Sequence, residues 1–114
     1  MANAFKKKTS KGIGIALTQV GSYAVPSSTE TTVIGLSVSN VTGSSVDVDV
    51  ALSATMANTT NDISLGTTIP VPAGSTVVLI GGDQKLVMET GELVKVKSSA
   101  ATSVDVIMSI LEIT

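Results

Sequence analysis

The residues of this chain best suited to chemistry are Asp47 and Asp49, which alternate with valines in the run VDVDV at residues 46–50. On an extended strand such residues share a face, so their carboxylates would lie about 7 Å apart. Inverting glycosidases hold their acid and base at about that separation. A sugar site normally adds aromatic platforms, however, and Phe5 and Tyr23 are the only aromatic residues. The pattern therefore indicates an exposed strand face, and we predict no catalytic residues.

The residue types that most often bind metals and phosphate are missing. The sequence has no His, Cys or Trp, and its seven basic residues are all lysines. Asp62, Asp83 and the Asp47/Asp49 pair could bind calcium with loop carbonyls, but these acids are scattered and lack the spacing of a calcium loop. The stretch Gly81-Gly82-Asp83 lacks the Gly-Lys-Ser/Thr ending of a phosphate loop, which favours a turn. We predict no enzyme activity, no metal and no cofactor.

Composition favours a single domain that is packed against others. The chain has 114 residues, the size of one domain, and cannot form a disulfide. Charged residues make up 14% of the sequence, well below the roughly 25% of a typical soluble domain. Much of the polar surface must then be Ser and Thr, which are easily buried. This composition favours a subunit of an assembly over a lone domain.

The lysines are concentrated at the start of the chain. Lys6, Lys7, Lys8 and Lys11 are the only charged residues before Glu30, whereas the remainder carries three lysines and all nine acids. We predict a basic N-terminal arm over residues 1–12, ahead of one domain over residues 13–114. Such an arm could dock on an acidic neighbour, including another copy of this chain. The alternative is a solvated, disordered start.

No targeting or membrane signal is evident. The opening residues have a charged stretch without a long apolar run behind it, unlike a secretory signal. No segment approaches the roughly 20 apolar residues of a membrane span. Specific nucleic-acid binding usually requires a basic patch with arginines and aromatic side chains that stack on bases, which this sequence lacks. The lysines could make at most non-specific contacts with phosphates. We expect synthesis in a cytoplasm, no membrane partner and no specific nucleic acid.

The rest of the sequence predicts β-strands. Ile34, Leu36 and Val38 alternate with small polar residues, and residues 46–52 then alternate valines with Asp47 and Asp49. A turn-rich stretch separates the two segments, which predicts a β-hairpin. Turn signals recur along the chain without a helical apolar stripe. We predict an all-β fold, an antiparallel β-sandwich of about eight strands that is jelly-roll-like or another Greek key.

Two later segments are unusually apolar. Residues 77–80 read VVLI, as expected of a strand covered on both faces. In the last strand, at about residues 103–113, Val104, Val106, Met108 and Ile110 share one face. The other face carries Ile107, Leu111 and Ile113. Either a second sheet of the same domain covers those three aliphatic side chains, or they form a subunit interface with the lysines of the arm.

Four stretches give the chain a resemblance to a known group of proteins: MANAFKKK, VPSSTETTVIGLSVSNVTGSSVDVDVAL, VPAGSTVVLIGGDQKLVMETGELVKVKSSA and SVDVIMSILEI. Nearly the whole chain resembles small virion structural proteins of tailed bacteriophages, especially those of marine and cyanobacterial phages. The resemblance implies a β-sandwich subunit that decorates or cements the capsid, with a tail, neck or fibre component as the alternative. It implies other virion proteins, above all the major capsid protein, and copies of itself as partners, with a trimer expected. A soluble receptor- or glycan-binding module is the alternative of another class.

Overall fold

The computed structural model describes residues 3–56, 59–81 and 84–114. These residues form nine strands and one turn of 3-10 helix, Val20–Ser22. The strands are β1 Asn3–Ile13, β2 Thr18–Gln19, β3 Glu30–Asn40, β4 Val46–Met56, β5 Thr59–Val71, β6 Thr76–Ile80, β7 Leu86–Met88, β8 Leu93–Ser98 and β9 Val104–Ile113. The predicted Gly81-Gly82-Asp83 turn lies partly outside the described residues, as does Asp83.

The strands form two antiparallel sheets. Sheet 1 has the order β1-β9-β3-β6, and β7 also pairs with β3, beyond the end of β6. Sheet 2 has the order β2-β8-β4-β5. The chain crosses between sheets at most connections, and β4 and β5 are joined as a hairpin within sheet 2. The antiparallel β-sandwich that the sequence predicted is confirmed, and the strand order is that of a jelly roll, one of the two topologies left open.

Valines from both sheets fill the space between them. In sheet 1, Val33 and Val38 of β3 and Val106 of β9 are buried. In sheet 2, Val48 and Val50 of β4 and Val94 and Val96 of β8 are buried, whereas Asp47 and Lys95 lie on the outside. Each buried aliphatic side chain contributes roughly 1.5–3 kcal/mol relative to an exposed one. The inward and outward faces predicted for β4 and β8 are confirmed.

The predicted hairpin between residues 31–39 and 46–52 is wrong. Strand β3 pairs with β9, β6 and β7 in sheet 1, whereas β4 pairs with β5 and β8 in sheet 2. Asn40 stabilises the crossing between them. Its side-chain amide donates to the carbonyl oxygens of Ser44 and Val71 at 2.7 and 2.9 Å, and its Oδ1 accepts from the Thr42 backbone N–H. The two segments therefore face each other across the core.

Two expectations about individual apolar residues also fail. A break in register between Val33 and Gly35 puts Val33, Leu36 and Val38 in the core, so Ile34 is only half-buried. Strand β6 is an edge strand covered on one face, and its Val78 is 64% exposed instead of covered on both sides. Both differences leave apolar side chains on the outside of sheet 1.

The stretch for which we predicted a separate basic arm forms strand β1. It pairs with β9 from Asn3↔Ile113 to Ser10↔Val106, and after a break in register Ile13 pairs with Val104. Backbone hydrogen bonding to β9 makes β1 an edge strand of sheet 1, continuous with the sandwich. The alternation of its side chains therefore decides which of its lysines reach outward.

Candidate assembly interface

The outer face of sheet 1 carries two rows of side chains that run across its strands. The first row follows the register Phe5↔Leu111↔Thr32↔Val87, through β1, β9, β3 and β7. The second follows Thr9↔Ile107↔Ser37↔Val78, through β1, β9, β3 and β6. Neighbours within a row lie about 5 Å apart, and the rows about 13 Å apart. We call these rows the two ridges: the first carries the apolar Phe5, Leu111 and Val87, and the second carries Ile107 and Val78 with the polar Thr9 and Ser37 between and beside them.

Five of the eight side chains in these rows are exposed, and Leu111, Thr32 and Ser37 are half-buried. Phe5 is 76% exposed, Val87 61% and Ile107 52%, in addition to Val78. Between the rows lie Lys7, Ser109 and Gly35, of which only Lys7 has a long side chain. Isolated exposed apolar residues are ordinary, but a cluster on one sheet face marks an interaction surface.

The outer face of sheet 2 is chemically different. Lys97 pairs with Asp49 across β8 and β4 at 3.6 Å, and Lys95 pairs with Asp62 at 3.4 Å. Cross-strand ion pairs of this kind suit a face that stays in water, where they contribute little net energy. Of the two outer faces, that of sheet 1 is therefore the candidate interface.

The structure divides the residues that the sequence singled out as an interface. Ile107, Leu111 and Ile113 all point outward from β9, with Ile107 the most exposed. Lys7 lies on the same face, since it is paired with Ser109, and Lys11 is also exposed. Lys6 and Lys8 point to the other side of β1, opposite Ile110 and Met108. Lys7 and Lys11 are therefore exposed on the outer side, whereas Lys6, although its side chain is 48% exposed, is engaged on the inner side of β1.

Lys6 and Lys8 instead bind a buried polar cluster. Lys6 Nζ lies 2.8 Å from Glu112 Oε1, and the Tyr23 hydroxyl donates to Glu112 Oε2 at 2.6 Å. The Tyr23 hydroxyl also shares a 2.8 Å hydrogen bond with Thr31 Oγ1. Lys8 Nζ lies 5.1 Å from the centre of the Tyr23 ring, within cation–π range. Glu112 is only 6% exposed, so this ion pair satisfies a buried charge.

The cluster shifts the pKa values of both acids that form it. The hydrogen bonds from Lys6 and then Tyr23 hold the pKa of Glu112 below its usual value, against the effect of its burial. Burial, followed by the hydrogen bond to Glu112, raises the pKa of Tyr23 to about 12. Glu112 is thus a carboxylate and Tyr23 a neutral donor at neutral pH. The Lys6–Glu112 ion pair of this arrangement joins β1 to β9.

Sequence reasoning missed Phe5, Val78 and Val87 as members of the apolar face. For Phe5 a signal was present, because it lies two residues before Lys7 and so shares its side of an extended strand. For Val78 and Val87 the sequence carries no sign that β6 and β7 lie at an edge. The Tyr23–Glu112 contact, between residues 89 apart, was equally invisible.

Two depressions on the surface offer no catalytic arrangement. One, of about 320 Å³, is lined by residues that include Asp47, Asp49 and Lys97, but Asp49 is committed to the Lys97 ion pair and accepts from the Thr68 backbone N–H at 2.7 Å. The other lies beside Glu30, Glu89 and Thr90. Within the described residues, no three acids are placed to hold a metal ion.

Comparisons with known proteins bear on the fold. No protein-family model matches the sequence, and no curated protein matches it. Among solved structures, a chain of the Bacillus endospore appendages, described as disulfide-linked pili, is 14% identical with a TM-score of 0.57, over 98% of this chain and 88% of that one. A chain of the virus-like particle of the Macrobrachium rosenbergii extra small virus is 16% identical with a TM-score of 0.47, over 98% and 79%. A chain of infectious bursal disease virus is 8% identical with a TM-score of 0.44, over 97% and 36%.

At this level of identity the first of these likenesses shows a shared β-sandwich fold. In the part of the chain that the structure describes, no helix is long and apolar enough to cross a membrane.

Proposed function

We propose that this chain is a non-enzymatic structural subunit of a virus particle, which acts by burying the outer face of sheet 1 against neighbouring subunits. The observation that carries the proposal is the contrast between the two outer faces. One presents exposed apolar side chains from four strands, among them Phe5, Ile107 and Val78. The other is crossed by two ion pairs and carries the exposed Ile15 beside the Asp49–Lys97 pair. A lone soluble domain has no need for such an asymmetry.

The dimensions of the face suit a subunit contact. Four strand positions of about 4.8 Å and ten residues of about 3.3 Å give a flat area of roughly 600 Å². Stable protein contacts bury roughly 800 Å² on each partner, and the relief of the two ridges adds to the flat area. Each exposed aliphatic side chain on the outer face of sheet 1 would contribute roughly 1.5–3 kcal/mol to the contact when fully buried.

More specifically, we propose a decoration or cement protein of a tailed-phage capsid, located in the virion after synthesis in the host cytoplasm. A cement subunit binds across neighbouring shell proteins. Pressure inside the capsid must then break these contacts, in addition to those between the shell proteins, before the shell opens. The whole-chain resemblance to small phage virion proteins supports this role, with copies of itself and the major capsid protein as partners. We propose a closed ring, a trimer, because identical subunits usually close into symmetric oligomers, in which simultaneous engagement multiplies weak contacts. The chain has no cysteine, so none of its contacts is a disulfide.

Copy number separates this role from that of a tail, neck or fibre component. Quantitative mass spectrometry of purified particles should find on the order of hundreds of copies per particle if the subunit covers a shell of repeated units. About a dozen copies or fewer would place it in the tail or neck, where rings are small. Absence from particles would contradict the whole proposal.

A matched pair of substitutions tests the interface itself. Ile107→Lys places a charge on the outer face of sheet 1, whereas Ile15→Lys changes an isoleucine that is 70% exposed beside Asp47 and Asp49. Both proteins should fold, since exposed substitutions usually change stability by about 0.5 kcal/mol or less. Light scattering should show that Ile107→Lys lowers the assembled mass and Ile15→Lys does not. Equal masses for the two variants and the wild type would contradict this interface.

A further inference from the structure

Strand β1 is attached to the sandwich without contributing to its apolar core over most of its length. None of the side chains from Asn3 to Gly12 is buried, and Ile13, at 3% exposed, is the first that is. Residues 3–12 are held by the backbone pairing with β9 and by the contacts of Lys6 and Lys8. Two further hydrogen bonds run from the Gly21 backbone N–H to Ser10 Oγ at 2.7 Å and from the Gly12 backbone N–H to Asp105 Oδ1 at 2.9 Å. All of these contacts are polar and can form again with an identical strand.

A joint separates this strand from the rest of the chain. Gly12 has φ of +66°, a conformation that favours glycine, and the register with β9 breaks between Ser10 and Ile13. Beyond the joint the chain is fixed, because Ile13 is buried and its carbonyl oxygen accepts the Ser103 backbone N–H at 3.0 Å. A change of backbone angles near Gly12 would redirect residues 3–11 while leaving the core intact.

The place that β1 occupies is selective for a strand with lysines in this spacing. Without β1, the buried carboxylate of Glu112 would lose Lys6, the ring of Tyr23 would lose Lys8, and the edge of β9 would be unpaired. A buried charge left without its partner destabilises the fold, so an open edge of β9 favours the binding of another strand with this lysine spacing. Strand β1 of a second copy can occupy this place on β9 in the same register. It would form the same ion pair with Glu112 and point Phe5 and Lys7 outward as before.

We propose that copies of this chain exchange β1 in the assembly, so that β1 of one subunit completes sheet 1 of its neighbour. The inference rests on the proposed self-association and states how the subunits are connected. Exchange replaces each contact within a chain by the same contact between chains, so it needs no new surface. After exchange, the outer face of sheet 1 consists of β1 from one chain and the remaining strands from another.

Single-cysteine chains test the exchange, because the sequence has no cysteine of its own. Ser10 and Val106 are paired across β1 and β9 and lie on the inner side of sheet 1, where packing of outer faces cannot join them. Cross-strand pairs have the Cα separation that a disulfide requires. The Ser10→Cys chain, labelled with heavy nitrogen, is mixed with the unlabelled Val106→Cys chain, assembled and oxidised mildly. The control mixes the Val106→Cys chain with a Val38→Cys chain, since Val38 pairs with Val106 from β3.

Exchange predicts a disulfide between the two different chains at about ten times the yield of the Val38 control, because pairing gives the two thiols a high effective concentration. Yields equal to the control in a protein that assembles by light scattering would overturn the exchange and leave the proposed function standing. A protein that remains monomeric would overturn both.

A second pair keeps the test valid if Val106→Cys fails to fold. Lys7→Cys and Ser109→Cys are cross-strand partners on the outer face, where substitutions do not disturb the core. Packing of outer faces can also join thiols on this face, so the yield is compared with that of a control pair on the same face. The control mixes the Ser109→Cys chain with a Ser37→Cys chain, whose residue lies diagonally opposite on β3. The same excess of about tenfold is expected, and equal yields for the two mixtures would contradict the exchange.

Discussion

Glu112 determines which lysines of β1 are structural. Its buried carboxylate binds Lys6, whereas Lys7, the next residue, points to solvent from the same strand. Lys6→Met should lower the free energy of unfolding by about 1–2 kcal/mol, because it leaves Glu112 without its charged partner while half of the Lys6 side chain is screened by water. Lys7→Met should change it by about 0.5 kcal/mol or less. Urea unfolding measures both, and equal losses would show that the faces of β1 are assigned incorrectly.

The same cluster makes stability depend on pH at both ends of the range. Because the pKa of Glu112 is lower in the folded protein than in the unfolded chain, its contribution is present above the ordinary carboxyl pKa and is lost as pH falls through the lowered value. Because the pKa of Tyr23 rises to about 12, its contribution is complete below its ordinary pKa of 10.0 and is lost as pH rises from there toward 12.

We expect two results from this pH dependence. Urea midpoints of the wild type and of Glu112→Gln should differ at neutral pH and converge in acid, where both side chains are uncharged. The absorbance of Tyr23, the only tyrosine, should show that its hydroxyl ionises with a pKa of about 12 in the folded wild type and at a lower pH in Glu112→Gln. A constant gap between the urea midpoints, or an unchanged tyrosine titration, would contradict the assigned cluster.

At the scale of strands, the alternation of apolar and polar residues predicted which face of a strand is buried, but it did not predict which strands pair with each other. The inward valines of β4 and β8 and the two-sided β9 followed from the sequence, because side chains of a strand point alternately to its two faces. The supposed hairpin of β3 and β4 failed, since a strand that buries one face looks the same whether its sequence neighbour lies beside it or across the core. The shift at Ile34 and the edge position of Val78 depend on distant pairings that local sequence does not encode.

The face assignment of β4 has a direct test. Val48 is fully buried, whereas Asp49 lies on the outer face beside Lys97. Val48→Asp should destabilise the protein by more than about 4 kcal/mol, because it places an unpaired charge in the core. Asp49→Asn should be nearly neutral, since its side-chain oxygen can still accept from the Thr68 N–H and an exposed ion pair contributes little. Circular dichroism and thermal unfolding measure both, and a folded Val48→Asp protein would reverse the assignment.

The molecule as a whole is a sandwich with two unlike outer faces. Its described part measures 45 × 28 × 24 Å, and the polar face of sheet 2 and the apolar face of sheet 1 lie on opposite sides of one core. A subunit of this form can bury one face and present the other to water. The low charge content of the sequence predicted burial of this kind, but only the register across β1, β9, β3 and β6 located it.

The most direct test of this account is the reactivity of a single cysteine on each outer face, measured in the assembled and in the dispersed protein. Val78→Cys reports on sheet 1 and Ile15→Cys on the opposite side, and both positions are exposed in the single chain. If the outer face of sheet 1 is the assembly surface, labelling at position 78 by a thiol reagent should slow by about tenfold or more on assembly, since interface cores exclude water, while labelling at position 15 stays unchanged. Equal rates at position 78 in both states would contradict the account.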